Sequence, residues 1–371
     1  MGHQQVGRSF LRAFGGMNSG ISHRSNVAGQ CMKRNLLYYS MIQNLVCPLQ
    51  AGHAHASLST KGGRHGYRSS VSADAASNPS VSTTTTAISK ELEFYSGAAC
   101  YPSVEKANGG EDSYFIAYMQ DDNTLQSSSE STAVEADESL KARGYCILGV
   151  SDGVGGWADM GIDAGAYSRQ LMHFANQESL AEDPNDPNPK RVLYKAVKQT
   201  TNKGSATVCI VSLSNSDKEG ASLRAANLGD SGFIVVREKQ VLFKSPSQQH
   251  SFNFPYQVSS LPKYSDNPMS AQTFNLEVAP GDTLILATDG MLDNLYPEEV
   301  ASIVHEAKAN GMKPGELAHV ISKITMEVAA DTKRDTPFSY GARQVGFPHE
   351  FGGKMDDVTV VVSYIMRNSK M

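Results

Sequence analysis

The chain reads YCILGVSDGVGGW at residues 145–157, and this stretch decides the architecture that the sequence predicts. The apolar run from Tyr145 to Val150 predicts a buried β-strand, which leads through Asp152 into a glycine-rich turn. Two further apolar runs also end in an aspartate followed by a small residue, at Asp289-Gly290 and at Asp230-Ser231. One Asp-Gly pair after a strand is most often an ordinary turn, but its recurrence predicts carboxylates at the ends of several strands.

Carboxylates also stand directly before two predicted strands. Gly109-Gly110-Glu111-Asp112 leads into one strand, and Gly352-Gly353-Lys354-Met355-Asp356-Asp357 leads into the last. Oxygen ligands at the rim of a rigid sheet, beside glycines that allow close approach, suit hard divalent cations. Several carboxylates that met without a cation would repel one another. If they converge, the sequence predicts a site for Mg²⁺ or Mn²⁺, because no His or Cys grouping offers the ligands that zinc prefers.

Strand-like and helix-like segments occur in groups along the chain. Pro189, Pro297 and Pro314 stand where the first turn of a helix tolerates proline. Closely spaced strands favour antiparallel pairing, so the expected class is α+β, with antiparallel sheets covered by helices. An acidic, serine-rich segment from Gln120 to about Lys141 is expected to be an exposed loop. The predicted strands lie at 114–119, 145–150, 206–211, 223–228, 232–236, 283–287 and 358–364, and the predicted helices lie around 171–175, 192–197, 300–307 and 317–328.

Charge divides the chain into two parts. Residues 1–73 hold eight basic and no acidic residues, which leaves 25 basic and all 38 acidic residues to the rest. This basic, serine-rich segment, with an amphipathic run at 8–14, predicts a transit peptide over 1–68 for a mitochondrion or alternatively a plastid; a disordered basic leader is the other interpretation. Residues 69–89, rich in Ser, Thr and Ala, predict a flexible linker. The folded domain is expected over 90–371.

The composition excludes several classes of protein. A net charge of −5 without a global basic excess does not support a nucleic-acid partner. Five widely spaced cysteines without a CxxC pair predict neither a disulfide framework nor a structural zinc cluster. The longest apolar stretch near the N-terminus, Leu36–Leu49, is too short to cross a bilayer. A soluble protein without a transmembrane segment is therefore expected.

Six short motifs follow one another in a fixed order. They are GEDS at 110–113, VSDGVGG at 150–156, GSAT at 204–207, NLGDS at 227–231, ATDGMLD at 287–293 and DDVTV at 356–360. In this order they resemble the metal-dependent protein serine/threonine phosphatases of the PPM (type 2C) family, over about Leu92 to Tyr364. The sequences of Asp152–Trp157 and Gln248–Tyr256 are similar in particular to those of an organelle-directed branch of that family.

The resemblance implies a fold and a metal site. The fold would be a four-layer αββα sandwich, two antiparallel sheets flanked by helices, with two divalent cations at one end of the sheets. Asp152 would bridge both cations. Glu111 and the carbonyl of Gly153 would complete one of them, and Asp289 and Asp356 would hold the other.

Further residues follow from the same resemblance. The ligand in the last motif stands four residues before the strand valine matched by Val360, which selects Asp356 and makes Asp357 its neighbour. Other positions match an outer shell or a weaker third metal that some members bind. These positions are Asp112 in the outer shell and Asp230 and Asp293 at the third metal.

The sequence departs from the family pattern at two places. Many members carry a histidine just after the Asp-Gly as a proposed general acid, whereas this chain has Val154. Many members also carry an arginine four residues before the glutamate of the first motif, and this arginine binds the substrate phosphate. This chain has Ala107 at that position. The adjacent Lys106 could bind phosphate without the bidentate fork of arginine; an ordinary surface lysine is the alternative.

The function expected from the resemblance is hydrolysis of phosphoserine and phosphothreonine in proteins. No side chain is predicted as catalytic, because a water activated between the two metals would attack phosphorus without a phosphoenzyme. One alternative is a catalytically weak or silent binding protein that keeps the fold, and another is a hydrolase of small phosphate esters with the same metals. The expected partners are phosphorylated proteins, and the chain is expected to be a monomer.

Overall fold

The structure is a computed structural model of the 371-residue chain, and the first described strand begins at Leu92. The predicted leader (1–68) and linker (69–89) lie outside the described residues, so they and the domain boundaries stay predictions. The described residues are 92–106, 109–119, 125–128, 139–215 and 221–367.

Two six-stranded sheets form the centre of the fold, and every strand pair within them is antiparallel. The strands are β1 (Leu92–Tyr101), β2 (Asp112–Met119), β3 (Leu125–Ser128), β4 (Leu140–Arg143), β5 (Tyr145–Asp152), β6 (Ser205–Ala206), β7 (Val208–Asn215), β8 (Ala221–Leu228), β9 (Gly232–Arg237), β10 (Gln240–Lys244), β11 (Gln249–Ser251), β12 (Phe254–Pro255), β13 (Val258–Ser259), β14 (Gln272–Val278), β15 (Thr283–Ala287) and β16 (Val358–Arg367). The first sheet has the order β10-β9-β15-β16-β1-β4, and the second has the order β14-β8-β7-β5-β2-β3. Two short antiparallel pairs, β11-β12 and β13-β6, lie outside them.

Helices flank the sheets. The α-helices are α1 (Ala164–Leu180), α2 (Pro189–Gln199), α3 (Asp289–Leu292), α4 (Pro297–Ala309), α5 (Pro314–Ala329) and α6 (Pro337–Val345), and short 3₁₀ helices span Gly155–Met160, Pro262–Tyr264 and Pro268–Ser270. Pro189, Pro297 and Pro314 each open a helix, as predicted. None of the helices in the described ranges has the length and apolar character needed to span a bilayer.

Side chains that alternate along the strands separate the core into layers. Leu148 points between the two sheets, where it joins Phe94 of the first sheet in one apolar cluster. The neighbouring Ile147 points to the opposite face of β5 and packs with Tyr167 and Leu171 of α1. Helix α5 packs against β1 and β16 on the outside of the first sheet. The layers therefore run helix, sheet, sheet, helix, which confirms the predicted α+β sandwich.

Most predicted elements are confirmed, but the exposed loop from Gln120 to Lys141 is wrong in part. Strand β3 pairs with β2, and β4 pairs with β1, at an edge of each sheet. An edge strand is held by main-chain hydrogen bonds, which do not depend on side-chain polarity. The sequence interpretation also missed β10, β14 and α6. The predicted strand at 206–211 is divided at Thr207.

Candidate metal centre

The register of β2 and β5 brings the first carboxylates together. Asp112, the first residue of β2, lies directly opposite Asp152, the last residue of β5. Glu111 precedes β2, and its carbonyl accepts a hydrogen bond of 3.0 Å from the N–H of Gly153. A Cβ atom on Gly153 would come within 2.9 Å of that carbonyl and 2.8 Å of the Ala164 carbonyl, so only glycine fits this contact. Glu111, Asp112 and Asp152 thus lie at one rim of the second sheet.

The central strands of the first sheet place a second group of carboxylates at the same end of the domain. Ala287, the last residue of β15, lies opposite Val360 of β16 and opposite Gly232 of β9. The residues that follow β15, precede β16 and precede β9 must therefore lie side by side. These residues include Asp230, Asp289, Asp356 and Asp357.

Hydrogen bonds join the rims of the two sheets. The hydroxyl of Thr288 donates to Asp112 Oδ2 at 2.8 Å. Asp357 accepts from the N–H of Ser103 at 2.7 Å and from the N–H of Glu111 at 2.6 Å, so backbone groups engage both of its oxygens. Asp357 is almost fully buried by these contacts. Asp357 therefore fixes the geometry of the rim and is poorly placed to bind a metal ion.

Lys106 lies among the carboxylates from both rims. Its Nζ is 2.6 Å from Glu111 Oε2, 2.9 Å from Asp356 Oδ1 and 3.0 Å from Asp357 Oδ2. Burial alone would lower the pKa of Lys106, but Asp356, Asp152 and Asp357 raise it above its ordinary value. The ammonium therefore contacts predicted metal ligands, and its role in binding phosphate stays a prediction.

A second ammonium, that of Lys354, contacts the carboxylates of the first sheet. Its Nζ pairs with Asp289 Oδ2, lies 2.9 Å from Asp293 Oδ2 and lies 3.3 Å from Asp356 Oδ2. Asp356 therefore has one oxygen beside each lysine. Burial would raise the pKa of Asp356, but Lys354 and then Lys106 hold it below its usual value.

Burial and mutual repulsion act on the remaining carboxylic acids. Burial is the main cause that raises the pKa of Asp112, Asp152 and Asp230 well above the usual value. Neighbouring charges add to the rise, chiefly Asp289 in the cases of Asp152 and Asp230. Burial raises the pKa of Asp289 to about 6, although Lys354 opposes the rise. The charged forms of these side chains are thus disfavoured by burial and by one another.

The donor set of this cluster fits a hard divalent cation. Asp112 Oδ1, Asp230 Oδ1 and Asp289 Oδ1 are buried, and none of them has a hydrogen-bond partner among the described residues. Buried carboxylate oxygens without a partner are costly, and a cation would satisfy them. Across the described part of the chain, no three His, Cys, Asp or Glu side chains lie in a metal-binding arrangement. The oxygens of Glu111, Asp289 and Asp356 contact the two ammonium groups instead.

Comparisons with known proteins agree with this architecture. The sequence model of the Stage II sporulation protein E (SpoIIE) family matches residues 142–363. "Protein phosphatase PTC7 homolog fig" of Drosophila melanogaster is 34% identical over 233 residues, which are 59% of this chain and 73% of the relative. The chain belongs to the protein phosphatase 2C family.

Other members of the protein phosphatase 2C family extend the comparison. "Probable protein phosphatase 2C 55" of Arabidopsis thaliana is 44% identical over 277 residues, which are 74% of this chain. The chain spans 52% of that relative and 62% of a second one from the same plant. The X-ray structure of the photosystem II phosphatase PBCP is similar with a TM-score of 0.61 and 28% identity, and the match covers 74% of this chain and all of that one.

The phosphatase 2C fold brings the residues expected at the metal centre to one end of the sheets. Their roles as ligands stay predictions, whereas their proximity is observed. Val154 also lies at this end, where its N–H donates to the Ser205 carbonyl at 3.0 Å, and its side chain has no proton to donate. The residues that converge are Lys106, Glu111, Asp112, Asp152, Gly153, Asp230, Asp289, Asp293 and Asp356.

Lys354 is the residue of this centre that sequence reasoning missed. It stands two residues before Asp356, within a glycine-rich stretch in which the carboxylates are the residues that indicate a metal site. A single lysine in a polar segment is usually solvated, so local sequence gives no signal for burial. Lys354 is more than sixty residues away from Asp289 and Asp293 in the sequence, so these ion pairs form only when the chain folds.

Proposed function

We propose that this chain is a metal-dependent protein-serine/threonine phosphatase that hydrolyses phosphoserine and phosphothreonine in proteins. The observation that carries the proposal is the meeting of acidic side chains from both sheets at one end of a phosphatase 2C domain. The names of its relatives, protein phosphatase 2C, support the same activity. The residues proposed as metal ligands are Glu111, Asp152, the Gly153 carbonyl, Asp289 and Asp356.

The proposed cofactors are two Mg²⁺ or Mn²⁺ ions, because every proposed ligand is an oxygen atom. Two such ions would lower the pKa of a water molecule and withdraw charge from the phosphoryl group. The chain's own contribution is to hold the carboxylates in place. Thr288 orients Asp112, and the backbone contacts of Asp357 fix Glu111 beside the rim. Val154 cannot protonate the leaving alkoxide, so that proton must come from another group.

A direct assay tests the activity. The full chain is incubated with a phosphothreonine peptide in Mn²⁺ and then in excess chelator, and with p-nitrophenyl phosphate in parallel. We expect release of phosphate from the peptide in Mn²⁺ and its loss in chelator. Hydrolysis of the small ester alone would favour a small-phosphoester hydrolase. Folded protein that binds Mn²⁺ but hydrolyses neither substrate would favour a silent binding protein.

Lys106 is proposed to bind the substrate phosphate. Its side chain is about one-quarter exposed and lies beside the proposed ligands Glu111 and Asp356, so its ammonium can turn toward an incoming phosphate. A charge-assisted hydrogen bond is worth roughly 1.5–3 kcal/mol. Lys106→Met is therefore expected to raise KM for the phosphopeptide about tenfold, with a smaller change in kcat.

Steady-state kinetics at saturating Mn²⁺ measures both constants for Lys106→Met. Lys195→Met is the matched control, because Lys195 pairs with Glu178 on the surface of α1 and α2. An unchanged KM in Lys106→Met would show that this lysine only neutralises carboxylates.

We also propose that residues 1–68 direct the protein to a mitochondrion or, alternatively, a plastid. Support comes from the basic composition of the segment and from its lack of acidic residues. Fluorescence microscopy of the full chain fused at its C-terminus to a fluorescent protein tests this, beside the same fusion without residues 1–68. A signal in the cytosol from both fusions would contradict the proposal. The monomeric state stays a prediction.

A further inference from the structure

The backbone of Lys354 is held from both sides by one buried side chain. Its N–H donates to Asn294 Oδ1 at 2.9 Å, and its carbonyl accepts from Asn294 Nδ2 at 2.8 Å. Asn294 is 1% exposed, and its Nδ2 also donates to the Gly290 carbonyl of α3 at 2.8 Å. These three hydrogen bonds tie Lys354 to the turn that carries Asp289. The position of the lysine is therefore fixed by the same element as a proposed metal ligand.

The ammonium of Lys354 is enclosed as well as anchored. It contacts carboxylate oxygens of Asp289, Asp293 and Asp356, and the side chain is only 17% exposed. The ring of Phe338 lies 5.4 Å from Nζ, and the Phe338 N–H donates to the Asp293 carbonyl at 2.9 Å. A cation beside an aromatic face is stabilised further when it is removed from water. The ammonium thus donates hydrogen bonds to Asp289 and Asp293, and Asp356 lies at ion-pair distance.

Asp230 completes the negative surroundings of this lysine. Its carboxylate is buried, its Oδ1 has no hydrogen-bond partner among the described residues, and the charges of Asp289, Asp293 and Lys354 all act on its pKa. An ion ligated by Asp289 and Asp293 would need the space that the Lys354 ammonium occupies. Two cations in that space would also repel each other.

We propose that Lys354 is a built-in cation that replaces a divalent ion among Asp230, Asp289 and Asp293. The chain therefore binds one divalent ion fewer than its carboxylates could hold. This inference rests on the proposed function, because it takes two ions at the neighbouring ligands for granted. Lys354 acts as a positioning residue, which neutralises and orients Asp289 without touching the substrate.

Counting bound Mn²⁺ tests the inference without an activity assay. Full-length protein is stripped with chelator, dialysed against Mn²⁺ and analysed for metal content per chain. Lys354→Met is expected to bind one Mn²⁺ more than the unmodified chain. Lys195→Met removes the same charge from an exposed ion pair with Glu178 and is expected to bind the unmodified number. An equal count in Lys354→Met and the unmodified chain overturns the inference.

A second substitution keeps the inference testable if Lys354→Met does not fold. Asp293→Asn in the otherwise unmodified chain is expected to leave the Mn²⁺ count unchanged, because the ammonium already fills that position. In the Lys354→Met background the same change should remove the additional ion. A lower count in Asp293→Asn alone would overturn the inference, since a divalent ion would then occupy the site despite Lys354.

The outcomes separate this inference from the proposed function. Unmodified protein that binds Mn²⁺ with the expected differences, yet releases no phosphate from the phosphopeptide, upholds the role of Lys354 and contradicts the phosphatase. Protein that is active and loses an ion in Asp293→Asn upholds the phosphatase and overturns the role of Lys354. Protein that binds no Mn²⁺ contradicts both.

Discussion

Asp152→Asn is expected to lower kcat for a phosphothreonine peptide by at least about 1,000-fold, which corresponds to roughly 4 kcal/mol of transition-state stabilisation. Asp152 ends β5 directly opposite Asp112, and the charges of Asp289 and Asp356 act on it from the other sheet. It therefore lies between the two groups of proposed ligands. An amide has nearly the same shape, but it lacks the negative charge that a ligand of divalent cations would supply.

The same substitution is expected to leave the metal-free protein at least as stable. Burial and neighbouring carboxylates raise the pKa of Asp152, so the charged form is disfavoured in the folded state. A neutral amide relieves that repulsion. Thermal unfolding in chelator should therefore give a melting temperature equal to or above that of the unmodified chain. Loss of activity without loss of stability would show that Asp152 acts as a metal ligand and not as a structural residue.

The matched control is Asp159→Asn. Asp159 is exposed in the 3₁₀ helix that follows Gly153, and it is not among the proposed ligands. We expect unchanged kinetics from it. If Asp152→Asn kept more than about a tenth of the activity in saturating Mn²⁺, the proposed metal centre would be wrong, because a carboxylate that held the metal ions would be needed for activity.

Gly290→Ala is expected to reduce the free energy of unfolding by about 3 kcal/mol or more. A Cβ atom at this position would stand 1.9 Å from the carbonyl oxygen of Asp357. The Cβ position is fixed by the backbone and the Asp357 oxygen belongs to it, so neither atom can turn aside, and α3 would have to separate from the start of β16. That movement would pull Asp289 away from Asp356, and we therefore expect most of the phosphatase activity to be lost as well.

Urea unfolding of the full chain in chelator measures this effect, and Gly156→Ala is the control. A Cβ atom on Gly156 meets nothing within 4 Å, and its backbone lies outside the positive-φ region. Gly156→Ala should change the free energy of unfolding by less than about 1 kcal/mol. Equal stability of Gly290→Ala and the unmodified chain would mean that α3 and β16 do not need this close approach.

The fold was predictable where burial leaves a pattern in the sequence. Central strands such as β5, β15 and β16 are buried on both faces, so they appear as continuous apolar runs. The sequence pattern missed the edge strands or predicted them as loops, because an edge strand has solvent on one side. Strand β14 shows this: its residues alternate between partly buried and exposed up to Val278, and its sequence contains several polar residues.

The sequence predicted which residues form the proposed metal centre, but not how they are arranged in space. Motifs identified Glu111, Asp152, Asp289 and Asp356, since each stands near a strand end and the first three adjoin a glycine. Their convergence depends on strand pairing between distant segments, which no local pattern encodes.

By itself, the amino-acid sequence determined the layered α+β class, the acidic residues at the strand ends and the basic first 73 residues. These features follow from local hydrophobic periodicity and from charge composition. Only the tertiary structure decided that Asp357 is occupied by backbone N–H groups and that Lys354 lies among the carboxylates. The reason is physical: whether a charged group is buried depends on partners that lie far along the chain and meet it only when the sheets pack.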